Sequence, residues 1–195
     1  MQSIDSILAV PNLQGHKEEL QLKDVSMIWV SPQDGLEEQV EAIRLEYTNQ
    51  SILLGASFGG IAAWQFSLEN SPEALRALIL MDVLPSLQAF PQSKRMAHRV
   101  LQRVPLSIAE RGYRALRRSQ GDIKPVVFAS IQSKIESLFA SFPRSYPTLP
   151  CLILSENPQF HAEWRSISKN RPWLQVQMRG NTERQITQWL SSVAN

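Results

Sequence analysis

Six short apolar runs punctuate the chain. They are Ile7-Leu8-Ala9-Val10, Met27-Ile28-Trp29-Val30, Ile52-Leu53-Leu54-Gly55, Ala77-Leu78-Ile79-Leu80-Met81, Cys151-Leu152-Ile153-Leu154 and Leu174-Gln175-Val176-Gln177-Met178. Pro11 stops the first and Ser31-Pro32 the second. Most are continuous rather than alternating, the pattern of strands covered on both faces. They predict strands near residues 5–10, 25–30, 51–56, 76–82, 150–155 and 173–178. Helical patterns lie between them. In Gly35–Tyr47, the residues Leu36, Val40, Ile43 and Tyr47 fall on one stripe, with glutamates opposite. Residues 58–69 are apolar nearly all round, as in a buried helix, and Ile186, Trp189, Leu190 and Val193 repeat at i, i+3, i+4, i+7. Strands alternating with helices predict an α/β fold with about six mostly parallel strands.

Residues 86–148 break this rhythm. Ala97, Val100, Leu101 and Val104 form a helical stripe, and Pro105, Gly112 and Gly121 punctuate the stretch after it. Pro143, Pro147 and Pro150 mark the return to the sheet. The segment reads as a helical lid inserted within a single domain spanning 1–195; a set of longer crossover helices is the alternative.

The 195-residue length suits one domain, and an apolar fraction of 43% supplies its core. The net charge of +2 argues against a general nucleic-acid binder, but it is unevenly spread. Residues 94–124 hold nine Lys/Arg and two Asp/Glu, a local +7 that leaves −5 for the rest. One cysteine, Cys151, excludes an internal disulfide, and it reads as core rather than nucleophile. His16, His98 and His161 lie far apart without metal-ligand spacing, so neither metal nor cofactor is expected. No apolar run approaches the roughly 20 residues of a membrane span. The first residues lack the basic and apolar regions of a secretory leader, so the expected location is cytoplasmic.

Gly55-Ala56-Ser57-Phe58-Gly59-Gly60 is G-x-S-x-G between a predicted buried strand and a predicted buried helix. This spacing suits a nucleophile on a sharp strand-to-helix turn. Small residues two before and two after the serine let neighbouring backbones approach. The turn lifts the hydroxyl above the sheet edge, and the helix start aims N–H groups at developing negative charge.

These blocks resemble the α/β-hydrolase superfamily, and within it the thioesterase branch that releases acyl chains from carrier proteins. Ile7–Gly15 resembles the first strand and oxyanion loop, Gly55–Trp64 the nucleophile elbow and its helix, and Ala77–Pro85 the strand ending in the triad acid. Gln177–Trp189 resembles the strand and helix flanking the family's histidine. The resemblance implies Ser57 as nucleophile and Asp82 as the acid that orients an imidazolium; a turn aspartate is the alternative for Asp82. It implies oxyanion donors at the amide of Phe58 and at Asn12 or Leu13, in a loop that keeps only Gly15 where the family is richer in glycine. The chain departs at the base. Histidine would follow Gly180, where Asn181 and Thr182 stand, and neither accepts a proton near neutral pH. Among the other histidines, His161 follows the fifth strand and is the candidate substitute. His16 lies just past the oxyanion loop and is a second, and His98 reads as solvated among Arg95 and Arg99.

The expected function is a serine-type acyl hydrolase, thioesterase or esterase, with low intrinsic activity and an atypical triad. The alternatives are a binding protein on a catalytically degenerate hydrolase fold, or a non-hydrolytic enzyme using the same pocket. The basic segment, with Arg114, Arg117 and Arg118, suits an acidic acyl carrier protein or coenzyme A; a solvated helix face is its alternative. With Tyr113 the only aromatic in residues 94–124, no nucleic-acid stacking platform is visible.

Overall fold

The computed structural model describes residues 6–11, 20–22, 25–48, 50–70, 75–89, 137 and 140–193. Its strands are β1 (Ser6–Val10), β2 (Ser26–Trp29), β3 (Ser51–Ala56), β4 (Leu75–Met81), β5 (Cys151–Ser155) and β6 (Leu174–Met178). They form one sheet in the order β2-β1-β3-β4-β5-β6, and every neighbouring pair is parallel. Among the described residues four α-helices flank it: α1 (Leu36–Glu46), α2 (Phe58–Glu69), α3 (Pro158–Ser168) and α4 (Thr182–Val193). Each of the six predicted strands is present within a residue or so of its expected bounds. The interior of the lid expected at 86–148, with Arg114, Arg117 and Arg118, lies outside the described residues, as do Asn12, Leu13, His16 and His98.

The strand order follows from where each connection must pack. A parallel crossover is right-handed almost without exception. The crossovers that step from β2 to β3, β3 to β4 and β5 to β6 run in one direction across the sheet, so α1, α2 and α3 belong on one face. The step from β1 to β2 runs the other way and belongs on the opposite face. The two cores agree. Leu8, Leu53, Leu78 and Ile153 pack with α1, α2 and α3. Ile7, Ile52, Ile79 and Leu152 pack with Leu22 and with Ile186, Trp189 and Leu190 of α4. The four central strands are buried on both sides, which is why their sequences are continuous apolar runs. Of the edge strands, β2 alternates in exposure, while β6 buries Leu174, half-buries Val176 and Gln177, and exposes Gln175 and Met178.

An aromatic cluster ties the segment leading into β5 to the helices. Trp64 of α2 stacks on Tyr146 at 5.7 Å between ring centroids and meets Phe142 and Trp164 edge-on or tilted at 5.5 and 5.3 Å. Both buried indoles of this cluster find an acceptor, as burial of an N–H requires. Trp64 donates to the Ser145 carbonyl at 2.9 Å and Trp164 to the Val83 carbonyl at 2.8 Å. Another long-range link caps α1. Its N-cap residue, Gly35, offers no side chain, and the Leu36 amide donates instead to the Ser137 hydroxyl at 2.6 Å.

Three glycines set how closely α2 can lie on the sheet. A Cβ on Gly55 would stand 2.6 Å from the Gly59 carbonyl oxygen and from the Gly60 backbone. A Cβ on Gly59 would run into the Pro11 carbonyl and stand 2.6 Å from that of Val10, and one on Gly60 would strike the Val83 side chain. Gly59→Ala is therefore expected to destabilise the protein by about 1–3 kcal/mol, because rigid backbone must move aside. Gly180→Ala, where an added Cβ meets nothing, is expected to stay within about 0.5 kcal/mol of the parent. Urea denaturation of the two variants checks both outcomes.

Candidate active site

The ends of β3, β4, β5 and β6 line up along one edge, and each is followed by a polar residue. Ala56 pairs with Met81, Met81 with Leu154, and Ser155 with Met178. The residues that follow these strands, Ser57, Asp82, Glu156 and Arg179, lie along this edge as a row, stepped by one residue: Ser57 and Asp82 are level with Ser155 and Met178, and Glu156 and Arg179 stand one residue further out. Backbone bonds continue the ladder into it: the Ser57 amide donates to the Met81 carbonyl at 2.9 Å, the Asp82 amide to Leu154 at 2.8 Å, and the Arg179 amide to Ser155 at 3.0 Å. This is the carboxyl edge of an open parallel sheet, where such folds place their ligands. β1 and β3 flank the point at which the connections reverse direction.

Ser57 stands at the junction of β3 and α2 with φ 52° and ψ −118°. A non-glycine residue there is strained, and strain of this kind persists only where the surroundings enforce it. Here they do. The Ser57 amide is held by β4, its carbonyl accepts from the Ile61 amide at 3.2 Å as part of α2, and the three glycines press the helix down. The side chain is exposed and makes no capping bond to the helix. Phe58, buried, is the first residue of α2.

Asp82 is the second strained residue of the row, with φ 50°. Its carboxylate is engaged through both oxygens. Oδ1 accepts from the Glu156 amide at 2.7 Å, and Oδ2 accepts from Nη1 of Arg179 at 2.7 Å. The pair is partly shielded from solvent, with 29% of the Asp82 side chain and 16% of the Arg179 side chain exposed. Nε of Arg179 donates to the Thr182 hydroxyl at 3.1 Å and lies 3.6 Å from a Glu156 carboxylate oxygen. One guanidinium thus spans the ends of β4, β5 and α4.

The sequence reading put the open histidine position at Asn181 or Thr182; the residue that reaches Asp82 is Arg179. Asn181 is occupied as the cap of α4, its side-chain oxygen accepting from the Arg184 amide at 3.0 Å. Thr182 is buried and accepts from Arg179. Gln185 closes the turn, accepting from the Gly180 amide and donating to the Met178 carbonyl. His161 lies half-buried in the first turn of α3, and its imidazole makes no hydrogen bond with Asp82. Cys151 is fully buried at the start of β5, and burial pushes its thiol up, away from thiolate chemistry. Arg179 and Glu156 were not singled out from sequence. The available signal was that each directly follows an apolar strand running to the Ser57 edge.

A groove of about 300 Å³ lies apart from this row, between α1 and α2, walled by Leu36, Val40, Arg44 and Glu69. Arg44 pairs there with Glu41 and Glu69. Among the described residues no group of His, Cys, Asp and Glu could hold a metal ion, and no helix is long and apolar enough to cross a membrane.

Neither a family model nor a curated sequence matches the chain. Solved structures do. AqDC, described by its recognition and ring-cleavage of the Pseudomonas quinolone signal, superposes with a TM-score of 0.67 at 11% identity, over 100% of this chain and 94% of that one. An esterase from Thermogutta terrifontis gives 0.60 at 16% identity, over 97% and 90%. The Vlm2 thioesterase domain, bound with a dodecadepsipeptide, gives 0.58 at 14% identity, over 96% and 92%. With a six-stranded parallel sheet, helices on both faces and a strained serine at the strand-to-helix turn, the chain has the α/β-hydrolase fold.

Proposed function

We propose that the protein is a serine-type acyl hydrolase of low turnover, acting on an ester or thioester through Ser57. The observation that carries this reading is the left-handed backbone of Ser57 at the junction of β3 and α2. A tight turn alone would be satisfied by glycine without strain. Serine held in that conformation presents its hydroxyl at the sheet edge next to Asp82. The fold likeness to an esterase and a thioesterase domain supports the same reaction class. In this reading Ser57 Oγ attacks the acyl carbon. The Phe58 amide, with Asn12 or Leu13, is proposed to meet the developing oxyanion.

Low turnover follows from the partners of Asp82. In a working triad the acid orients an imidazole that takes the serine proton. Here a guanidinium holds the acid, and arginine is never deprotonated near neutral pH. General-base help is typically worth about 10²–10⁴-fold, so that factor is missing while the turn and the sheet edge remain. The same observation favours the second reading, an acyl-binding protein without turnover.

For the partner, we propose an acidic acyl carrier protein or coenzyme A, on the +7 charge of residues 94–124.

Ser57→Ala is expected to reduce cleavage of p-nitrophenyl acetate to the rate in buffer. His161→Ala is expected to leave the rate within about twofold, because no hydrogen bond joins it to Asp82. Steady-state assays of both variants decide between this site and one based on His161; loss of activity on removing the imidazole would favour the latter. Reversing Arg114, Arg117 and Arg118 to glutamate is expected to weaken carrier or coenzyme binding at least tenfold, and added salt should weaken the parent's binding in parallel. Calorimetric titration across a salt series measures both, and salt-independent binding would return the segment to a solvated face.

A further inference from the structure

We infer that Arg179 makes this site an acyl trap: Ser57 accepts an acyl group from an activated donor and the ester persists, because nothing at the base position can activate water. The inference rests on Ser57 being the acyl acceptor and adds the fate of the acyl group.

The two half-reactions need different help. In the first, Ser57 Oγ bonds to the carbonyl carbon, the bond from that carbon to the leaving group breaks, and the hydroxyl proton passes to solvent. A good leaving group such as p-nitrophenolate departs without protonation, so this step can proceed slowly unaided. In the second, a water molecule must bond to the same carbon, lose a proton, and return one to Ser57 Oγ as the ester bond breaks. The leaving group is now an alkoxide of high basicity, and this step depends on a group that takes and gives protons.

Among the described residues, the two at the base position, Arg179 and Asp82, are committed elsewhere. Arg179 donates to Asp82 and Thr182 and cannot accept a proton. Both oxygens of Asp82 are bound, one by the Glu156 amide and one by the guanidinium. The arrangement is well braced. The Arg179 amide is bonded to β5, and the following turn is closed by Gln185 and by the Asn181 cap. Replacing the Asp82–Arg179 pair with a mobile histidine would therefore require a change of side chain, not a loop movement. Arg179 acts on the chemistry through Asp82 and is a positioning residue.

The test mixes the full chain with excess p-nitrophenyl acetate and follows both p-nitrophenolate release and intact protein mass. The expected result is release of about one equivalent, a mass gain of one acetyl group located on Ser57 by peptide sequencing, and slow decay of that adduct after the donor is removed. Arg179→Lys preserves a cation against Asp82 and is expected to keep the adduct lifetime within a few-fold. Arg179→His supplies a group that titrates near neutrality, and is expected to shorten the lifetime at least tenfold, with a rate that rises through about pH 6–7. If Ser57 is acetylated but the parent releases many equivalents without accumulating adduct, the trap is overturned and the acyl hydrolase reading stands. Equal lifetimes in the lysine and histidine variants, with both folded by circular dichroism, would also overturn it. Absence of any Ser57 adduct, with release no faster than for Ser57→Ala, overturns the acyl-acceptor reading and the trap together.

Discussion

The closeness of α2 to the sheet is the constraint on which the rest of the molecule depends. Gly55 and Gly60 meet across the turn, and Gly59 lies against the carbonyls at the end of β1. No side chain fits in these gaps, so the helix starts immediately after β3, and the one residue between them must reverse the chain. Ser57 does so at φ 52°. The strain is local, but it is held by packing spread over three strands. The same close approach seats Trp64 among Phe142, Tyr146 and Trp164. That cluster fixes the segment leading into β5, and β5 in turn carries the Glu156 amide that binds Asp82.

The row of residues at the carboxyl edge has its own logic. Parallel register brings the residues just beyond four strands to one edge, Glu156 and Arg179 standing one residue further out than Ser57 and Asp82. Whatever side chains stand there will interact. Ser57 points to solvent, whereas Asp82 and Arg179 pair across the intervening β5. A carboxylate partly removed from water needs a cation or donors, and the pair with its three hydrogen bonds satisfies that need within the fold. A carboxylate that in a triad would be satisfied by an imidazole is satisfied here by a group that holds its proton permanently. The Asp82 carboxylate is thus oriented toward a partner that cannot relay a proton.

The fold was largely legible in the chain because the central strands are buried on both faces. Burial of that kind leaves continuous apolar runs, and four of the six strands carry them. The Gly-x-Ser-x-Gly-Gly turn was legible for a related reason: its glycines answer contacts between neighbouring backbones, and no larger residue fits. Helix α3 was harder to see. Its face is carried by Phe160, Trp164 and Ile167, spaced at i, i+4 and i+7 among polar residues. Only Trp164 is fully buried, so the stripe is thin.

The partner of Asp82 was not legible. Asp82 and Arg179 are separated by 97 positions and meet only because β4, β5 and β6 are neighbours in register. Sequence pointed to Asn181 and Thr182 as the place where a histidine is missing, since it could count positions after a strand but could not show which side chain turns back. The chain by itself determined the alternation of strands and helices, the glycine-bounded turn and the absence of histidine near Gly180, all of which depend on local pattern and residue chemistry. Tertiary structure decided which groups face one another across the sheet edge. An arginine has the reach to bridge several strand ends, and only the register of those strands specifies the carboxylate it meets.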